Sequence, residues 1–406
     1  MRNLAWTLLV AFAFAVPWEY SLDLGPPFGN VARIVGLGLL LAAVPAVLQS
    51  GRLRAPGTLQ WLVLVFYLWF CCTCFWTIDP AETSYRIRAY FQEMMVVWLV
   101  WELAETPRDL RSLLHAYVAG SWVLAALTLV NFSSPEAVAA GQYRFAAYGQ
   151  DPNDVARFLD LGFPLAALLA HTESRWSQRL LAAGYLPLGL VAVLLTASRG
   201  GFLAALVALA GCIGILARAH AKAALAVLLA SPVFALGLWS AIPSATLARL
   251  ATIPEQLRSG DLNQRLNIWS AGWQAFLRAP LFGSGAGTFV RAAGTASIDT
   301  AHNTPLSILV GGGLCALLIG AAIVALAAYL AFKTTGALRL ALEFSLLVWF
   351  VTSLVATVEE NRATWLLLAL IALAARFADD HPAALAACFA DAHPHDAILR
   401  APLPTG

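Results

Sequence analysis

The sequence predicts an all-α polytopic membrane protein with about twelve transmembrane helices and one large loop that contains short helices. Of 406 residues, 60% are hydrophobic and only 12% are charged, about half the charged share of a soluble domain. The charges sit between long apolar runs, as they must if those runs lie in lipid. No separate soluble domain of useful size interrupts the runs. Residues 1–377 therefore read as a single transmembrane domain.

The apolar runs fall near 4–20, 31–49, 58–77, 88–103, 112–130, 154–171, 179–196, 201–217, 222–240, 304–331, 338–357 and 362–377. Each approaches the roughly 20 residues that a bilayer-crossing helix needs. Backbone groups in lipid must be satisfied within the chain, so these runs are helices. The first has a basic start but is followed by Pro17-Trp18-Glu19-Tyr20, which lacks the small residues of a cleavage site, so it reads as a retained span.

An even count puts both termini on one side. That side collects Arg2, Arg52, Arg54, Arg108, Arg111, Arg175, Arg179, Arg218, Lys222, Lys333, Arg339 and Arg376. The short loops opposite hold Arg86, Arg88, Arg144, Arg199 and Arg362. The positive-inside bias makes the first side cytoplasmic and puts the long loop, about 241–302, outside. The tail, 378–406, is rich in His, Ala, Asp and Pro and reads as a disordered cytoplasmic end. Neither internal repeats nor mid-span charge pairs are visible, which speaks against a transporter. The six cysteines, five of them in apolar runs, suggest small hydrophobes and no required disulfide.

The outer face carries the candidate chemistry. His302, in Ala301-His302-Asn303-Thr304, is the histidine that this topology places outside. Histidine is the usual proton acceptor near neutral pH. Arg199 lies in Thr196-Ala197-Ser198-Arg199-Gly200-Gly201, a tight turn before a span. A helix N-terminus, a forked guanidinium and two glycines that let an anion approach the backbone together suggest a phosphate site. Arg265 opens a loop segment in which Leu266, Trp269, Trp273, Phe276 and Leu277 recur at helical spacing, suiting a helix on the membrane surface. From spacing alone, Arg265 is a solvated residue on that helix.

Phe282-Gly283-Ser284-Gly285-Ala286-Gly287 hints at a nucleotide loop, but no strand precedes it, so a flexible turn is expected. Asp151-Pro152-Asn153 reads as a turn and N-cap. Arg86, Arg88 and Arg144 enrich the rim in positive charge, which would draw an anionic lipid phosphate. Outside carboxylates are scattered and no Asp-x-Asp cluster appears, so no metal and no cofactor is expected.

Taken together, Ser198-Arg199-Gly200-Gly201, Arg265 with Ile268-Trp269, Pro280-Leu281-Phe282-Gly283-Ser284-Gly285, and His302-Asn303 before Gly311-Gly312-Gly313 resemble the O-antigen ligase/polymerase family of bacterial membrane glycosyltransferases. The resemblance covers roughly residues 140 to 365. It implies a multi-pass inner-membrane enzyme with both termini cytoplasmic and its site on the periplasmic side. It also implies a transfer of glycan from undecaprenyl diphosphate to a sugar hydroxyl of lipid A–core; without a metal, direct displacement would invert the anomeric centre. Carried over, Arg199 and Arg265 would hold the diphosphate and His302 would activate or align the acceptor. Arg86, Arg88 and Asn303 are further substrate-binding candidates. The expected partners are the lipid-linked donor, the acceptor and membrane lipids, with no nucleic acid. The family often has an acid near the Gly-rich span start, where this chain has Val310. An O-antigen polymerase or related lipid-linked glycan transferase is the nearest alternative, and a twelve-span transporter a more distant one.

Overall fold

The computed structural model of the chain describes residues 1–25, 28–135, 142–219, 221–222, 224–226, 229, 237, 242–258, 260, 264–296 and 300–390. The bundle begins with α1 (Arg2–Ala15), α2 (Val31–Ser50), α3 (Thr58–Cys72), α4 (Pro80–Leu103) and α5 (Pro107–Phe132). It continues with α6 (Pro152–Thr172), α7 (Trp176–Leu195) and α8 (Arg199–Ala219). The long loop holds α9 (Ser244–Ala251), α10 (Ile253–Arg258), α11 (Arg265–Arg278) and α12 (Phe289–Ala293). The chain then forms α13 (Thr304–Lys333), α14 (Gly336–Ser353), α15 (Arg362–Asp380) and α16 (Pro382–Cys388).

The starts of these helices follow local chemistry. Proline occupies the first turn of α4, α5, α6 and α13, where its missing N–H costs nothing. Asp79, Asp151 and Asn303 cap α4, α6 and α13 with side-chain oxygens that accept backbone N–H groups.

Two helices form the core. In α15 every residue from Ala363 to Phe377 is buried, and in α6 every residue from Val155 to Leu169. Helix α6 is wrapped by α5, α7, α8 and α14, while α15 packs chiefly on α4 and α13. Lipid is as apolar as leucine, so close packing rather than water exclusion must hold such helices together. Gly201 illustrates this: a Cβ there would meet Ala156 at 2.3 Å, so α8 approaches α6 only because that position is glycine.

Among the described residues, nine helices are long and apolar enough to cross a membrane. They coincide with nine of the twelve expected runs. The run at 88–103 lies within α4, whose Arg86, Arg88, Glu93 and Glu102 make it too polar to count. The run at 362–377 lies within α15, whose apolar stretch is bracketed by Arg362, Arg376, Asp379 and Asp380. Helices surrounded by protein can carry charges that lipid-facing ones cannot. The expected run at 222–240 lies largely outside the described residues.

Two expectations are corrected. The tail does not begin as disordered chain. Helix α15 runs to Asp380, and α16 packs on α5 and α15 with Leu385 and Phe389 buried. Residues 391–406 lie outside the described residues. Buried ion pairs do occur, but at the ends of helices. Arg362 pairs with fully buried Glu19, and Arg157 with Asp154 at 2.9 Å. Asp160, midway along α6, is fully buried, and neither carboxylate oxygen has a hydrogen-bond partner among the described residues.

The glycine-rich segment after α11 is no flexible turn. Gly283, Gly285 and Gly287 all have positive φ, and the segment hydrogen-bonds α13 where that helix breaks at Gly313 (φ 68°). Ser284 and Gly285 N–H donate to Val310 and Gly311, and Leu314 N–H donates to Pro280. A Cβ at Gly283 would lie 2.5 Å from Gly311 O. Irregular backbone deep in such a bundle needs satisfied polar groups, and these two stretches satisfy each other.

Candidate active site

Three helix starts converge at the end of the bundle that carries the long loop. Arg199 begins α8, Arg265 begins α11, and His302 precedes the Asn303 cap of α13. These side chains, with Arg144, Arg249, Asn153, Gln256 and Trp269, line one cavity of about 230 Å³. All three residues singled out as catalytic therefore meet. Helix N-termini concentrate unpaired N–H groups and partial positive charge, which favours an anion.

The backbone is strained at just these places. Three non-glycine residues among the described ones have left-handed φ: Ala197 (50°), Gln264 (64°) and His302 (45°). Each is a site residue or lies within two positions of one. Such a conformation costs about 1–2 kcal/mol per residue outside glycine, and strain of this kind clusters where geometry is functionally fixed. The fixing partners are visible. Trp269 Nε1 donates to Ala301 O at 3.1 Å, immediately before His302. Asn303 Nδ2 donates to Leu354 O, and Thr304 Oγ1 to Ala356 O. Thr300 Oγ1 lies 3.4 Å from His302 Nδ1.

The arginines are held by backbone carbonyls. Arg199 Nε donates to Arg249 O at 3.4 Å, and Arg249 Nε returns a bond to Ala197 O at 3.2 Å. Arg144 donates to Thr196 O and to Asn153 Oδ1, which also accepts from Ser198. No carboxylate is among the described residues lining this cavity. Burial first, then the neighbouring arginines, lower the pKa of Arg265 and of Arg144, with Asp151 opposing the shift in each case. Guanidinium still stays protonated. The site therefore gathers several guanidiniums that lower one another's pKa, an arrangement that favours an anion.

The remaining candidates are not brought to this cavity. Arg86 is mostly buried and paired with Glu360 and, at 3.6 Å, Glu82. Arg88 is exposed on α4. Asn303 does not line the cavity; it caps α13. Gly201 serves helix packing rather than anion approach, and a Cβ at Gly200 would press Val355 at 3.0 Å. Val310 is buried against Ile268, Phe289 and Leu306, an apolar setting that leaves no place for an acid. On α11 the buried residues are Ile268, Gly272 and Ala275, whereas Leu266, Trp273 and Leu277 remain exposed. Arg249 was the residue that sequence reasoning missed. It sits in a short helix with no motif, and only the fold brings it to Arg199.

Around the corner lies a second cavity of about 570 Å³, lined by Asp79, Glu82, Arg86, Arg291, Thr300, Thr357 and Glu360, among others. Thr300 and Ala301 line this one, His302 and Val355 the first. Segments 300–302 and 355–357 thus form the partition. Among the described residues no group of three or more His, Cys, Asp or Glu could hold a metal ion.

Fold and site together define a class: a polytopic helical membrane protein with an arginine-lined cavity beside a histidine. Residues 184–321 match the family model described as O-Antigen ligase. Over that part of the chain, about a third of it, the sequence is similar to O-antigen ligases. The matched segment contains Arg199, Arg249, Arg265 and His302; Arg144 and Asn153 lie before it. No curated protein matches the sequence.

Proposed function

We propose that the protein transfers O-antigen glycan from undecaprenyl diphosphate to a sugar hydroxyl of lipid A–core at the periplasmic face of the inner membrane. One observation carries this reading: four arginines and His302 line a single cavity whose described lining residues include no carboxylate. The donor's diphosphate would lie among Arg144, Arg199, Arg249 and Arg265. The acceptor oxygen attacks the anomeric carbon while that carbon's bond to the diphosphate breaks. The electron pair leaves with undecaprenyl diphosphate, and the hydroxyl proton passes to His302. Charge grows on the leaving diphosphate as the bond stretches, and fixed guanidiniums stabilise such growing charge with no reorganisation at that moment. Displacement in one step inverts the anomeric centre. With this side periplasmic, the Lys333 end of α13 is cytoplasmic, and α4 and α15 add two spans to the nine.

A polymerase would use the same donor cavity and differ only in its acceptor. Purified protein given undecaprenyl-diphosphate glycan and lipid A–core, with EDTA present, decides between them. Glycan appearing on lipid A–core is the expected result. Lengthening of the donor glycan instead makes the protein a polymerase. Neither product from a folded sample, or a product with retained stereochemistry, overturns this mechanism. In the first case the buried mid-span Asp160 becomes an argument for transport.

A further inference from the structure

The second cavity has features of a binding site that the donor reading does not use. At about 570 Å³ it falls within the common range for ligand pockets, about 300–1,000 Å³. It also carries unspent hydrogen-bonding capacity. Thr295 Oγ1, Thr357 Oγ1 and Arg86 Nε belong to lining residues, and each is a buried atom with no partner among the described residues. Behind the wall, Glu359 is only 4% exposed and its Oε2 is likewise unpartnered. Its carboxylate interacts with Ser307, which lines the cavity. Buried polar atoms left unpaired are costly, so several around one cavity call for a polar occupant.

The lining chemistry narrows that occupant. Three carboxylates, Asp79, Glu82 and Glu360, stand against two guanidiniums, Arg86 and Arg291, which disfavours phosphate. Those carboxylates are already engaged: Asp79 by Arg291 at 3.0 Å, and Glu82 and Glu360 by Arg86. That leaves little charge for a free cation. What remains are hydroxyls and ion-pair atoms that both give and accept hydrogen bonds. Such a surface matches a neutral polyol. The cavity also abuts the reacting centre, because Thr300 lines it and touches His302 across the partition at 3.4 Å.

We infer that this cavity binds the acceptor saccharide, with Thr357, Thr295 and the Arg86–Glu360 pair reading sugar hydroxyls and delivering one of them past Thr300 to His302. The inference rests on the transferase reading above. The test is steady-state kinetics of the full-length protein with purified undecaprenyl-diphosphate glycan and lipid A–core. Wild type is compared with Thr357→Val and Thr295→Val, which keep shape and remove one hydroxyl each, and with Glu360→Gln. Each variant should raise the acceptor KM about tenfold, the worth of one good hydrogen bond, and leave the donor KM within about twofold. Unchanged acceptor KM in both folded threonine variants, with wild-type transfer intact, overturns the inference and leaves the transferase reading standing. A rise in donor KM instead also overturns it, by assigning the cavity to the donor. Wild type that binds the donor but transfers to no saccharide overturns both.

Discussion

The two cavities at the loop end of the bundle share a wall and differ in almost everything else. One is lined by four arginines, and no described lining residue opposes their charge; the other pairs each guanidinium with carboxylates. One is built on helix starts with left-handed residues beside it, the other on ion pairs and threonines. The two linings favour different ligands on either side of one histidine. A cluster of guanidiniums favours an anion, and a wall of ion pairs leaves hydrogen bonds for a neutral ligand.

The comparison breaks most visibly in the chemistry. His302→Ala should lower the transfer rate about 10²–10⁴-fold, the range for a lost proton-transfer group. Arg199→Ala and Arg265→Ala should each cost about 10²–10³-fold, as removal of a fixed donor to a growing negative charge does. Transfer assays at saturating donor would measure both. Losses below tenfold would mean that the convergence at these helix starts is structural.

A second contrast is in stability. Replacing Arg265 by Gln removes one of several cations that depress one another. The unliganded variant should therefore be more stable than wild type, by about 1 kcal/mol, while losing activity; active-site charge is often held at such a cost. Thermal unfolding in detergent without donor would show it. A less stable variant would mean that Arg265 is compensated after all.

The smallest effect concerns the wall behind the second cavity. Burial first, and the neighbouring Glu360 charge second, push Glu359 from its ordinary 4.5 up to about 7. The folded protein thus holds a proton on this carboxyl that the unfolded chain releases above about 4.5. Stability should fall as pH rises from about 4.5 through about 7, with the loss complete above that. Midpoints recorded between about pH 5 and pH 8 should decline, and Glu359→Gln should flatten part of the decline.

Much of this was legible in the sequence. Nine candidate spans followed from apolar length alone; Arg199 and His302 were singled out by their local setting and Arg265 by resemblance, and the fold brings all three to one cavity. Other features depend on pairings across the fold. The sequence does not show that Arg86 pairs with Glu360, far along the chain. It does not show that Gly201 faces Ala156, or that the Gly283–Gly287 ribbon locks the break at Gly313. Helices α4 and α15 read as ordinary spans because burial by protein and burial by lipid select the same apolar residues, until a few charges distinguish them.

The central claim is that the arginine cavity holds a lipid diphosphate. The direct measurement is equilibrium binding of undecaprenyl diphosphate, against uncharged undecaprenol, to purified protein in EDTA, for wild type and Arg199→Ala/Arg265→Ala. The account predicts that wild type prefers the diphosphate by about 100-fold or more, the scale of two charge-assisted hydrogen bonds, and that the double variant loses most of that preference. Equal binding of both lipids by wild type, or a preference untouched by the double substitution, would contradict it.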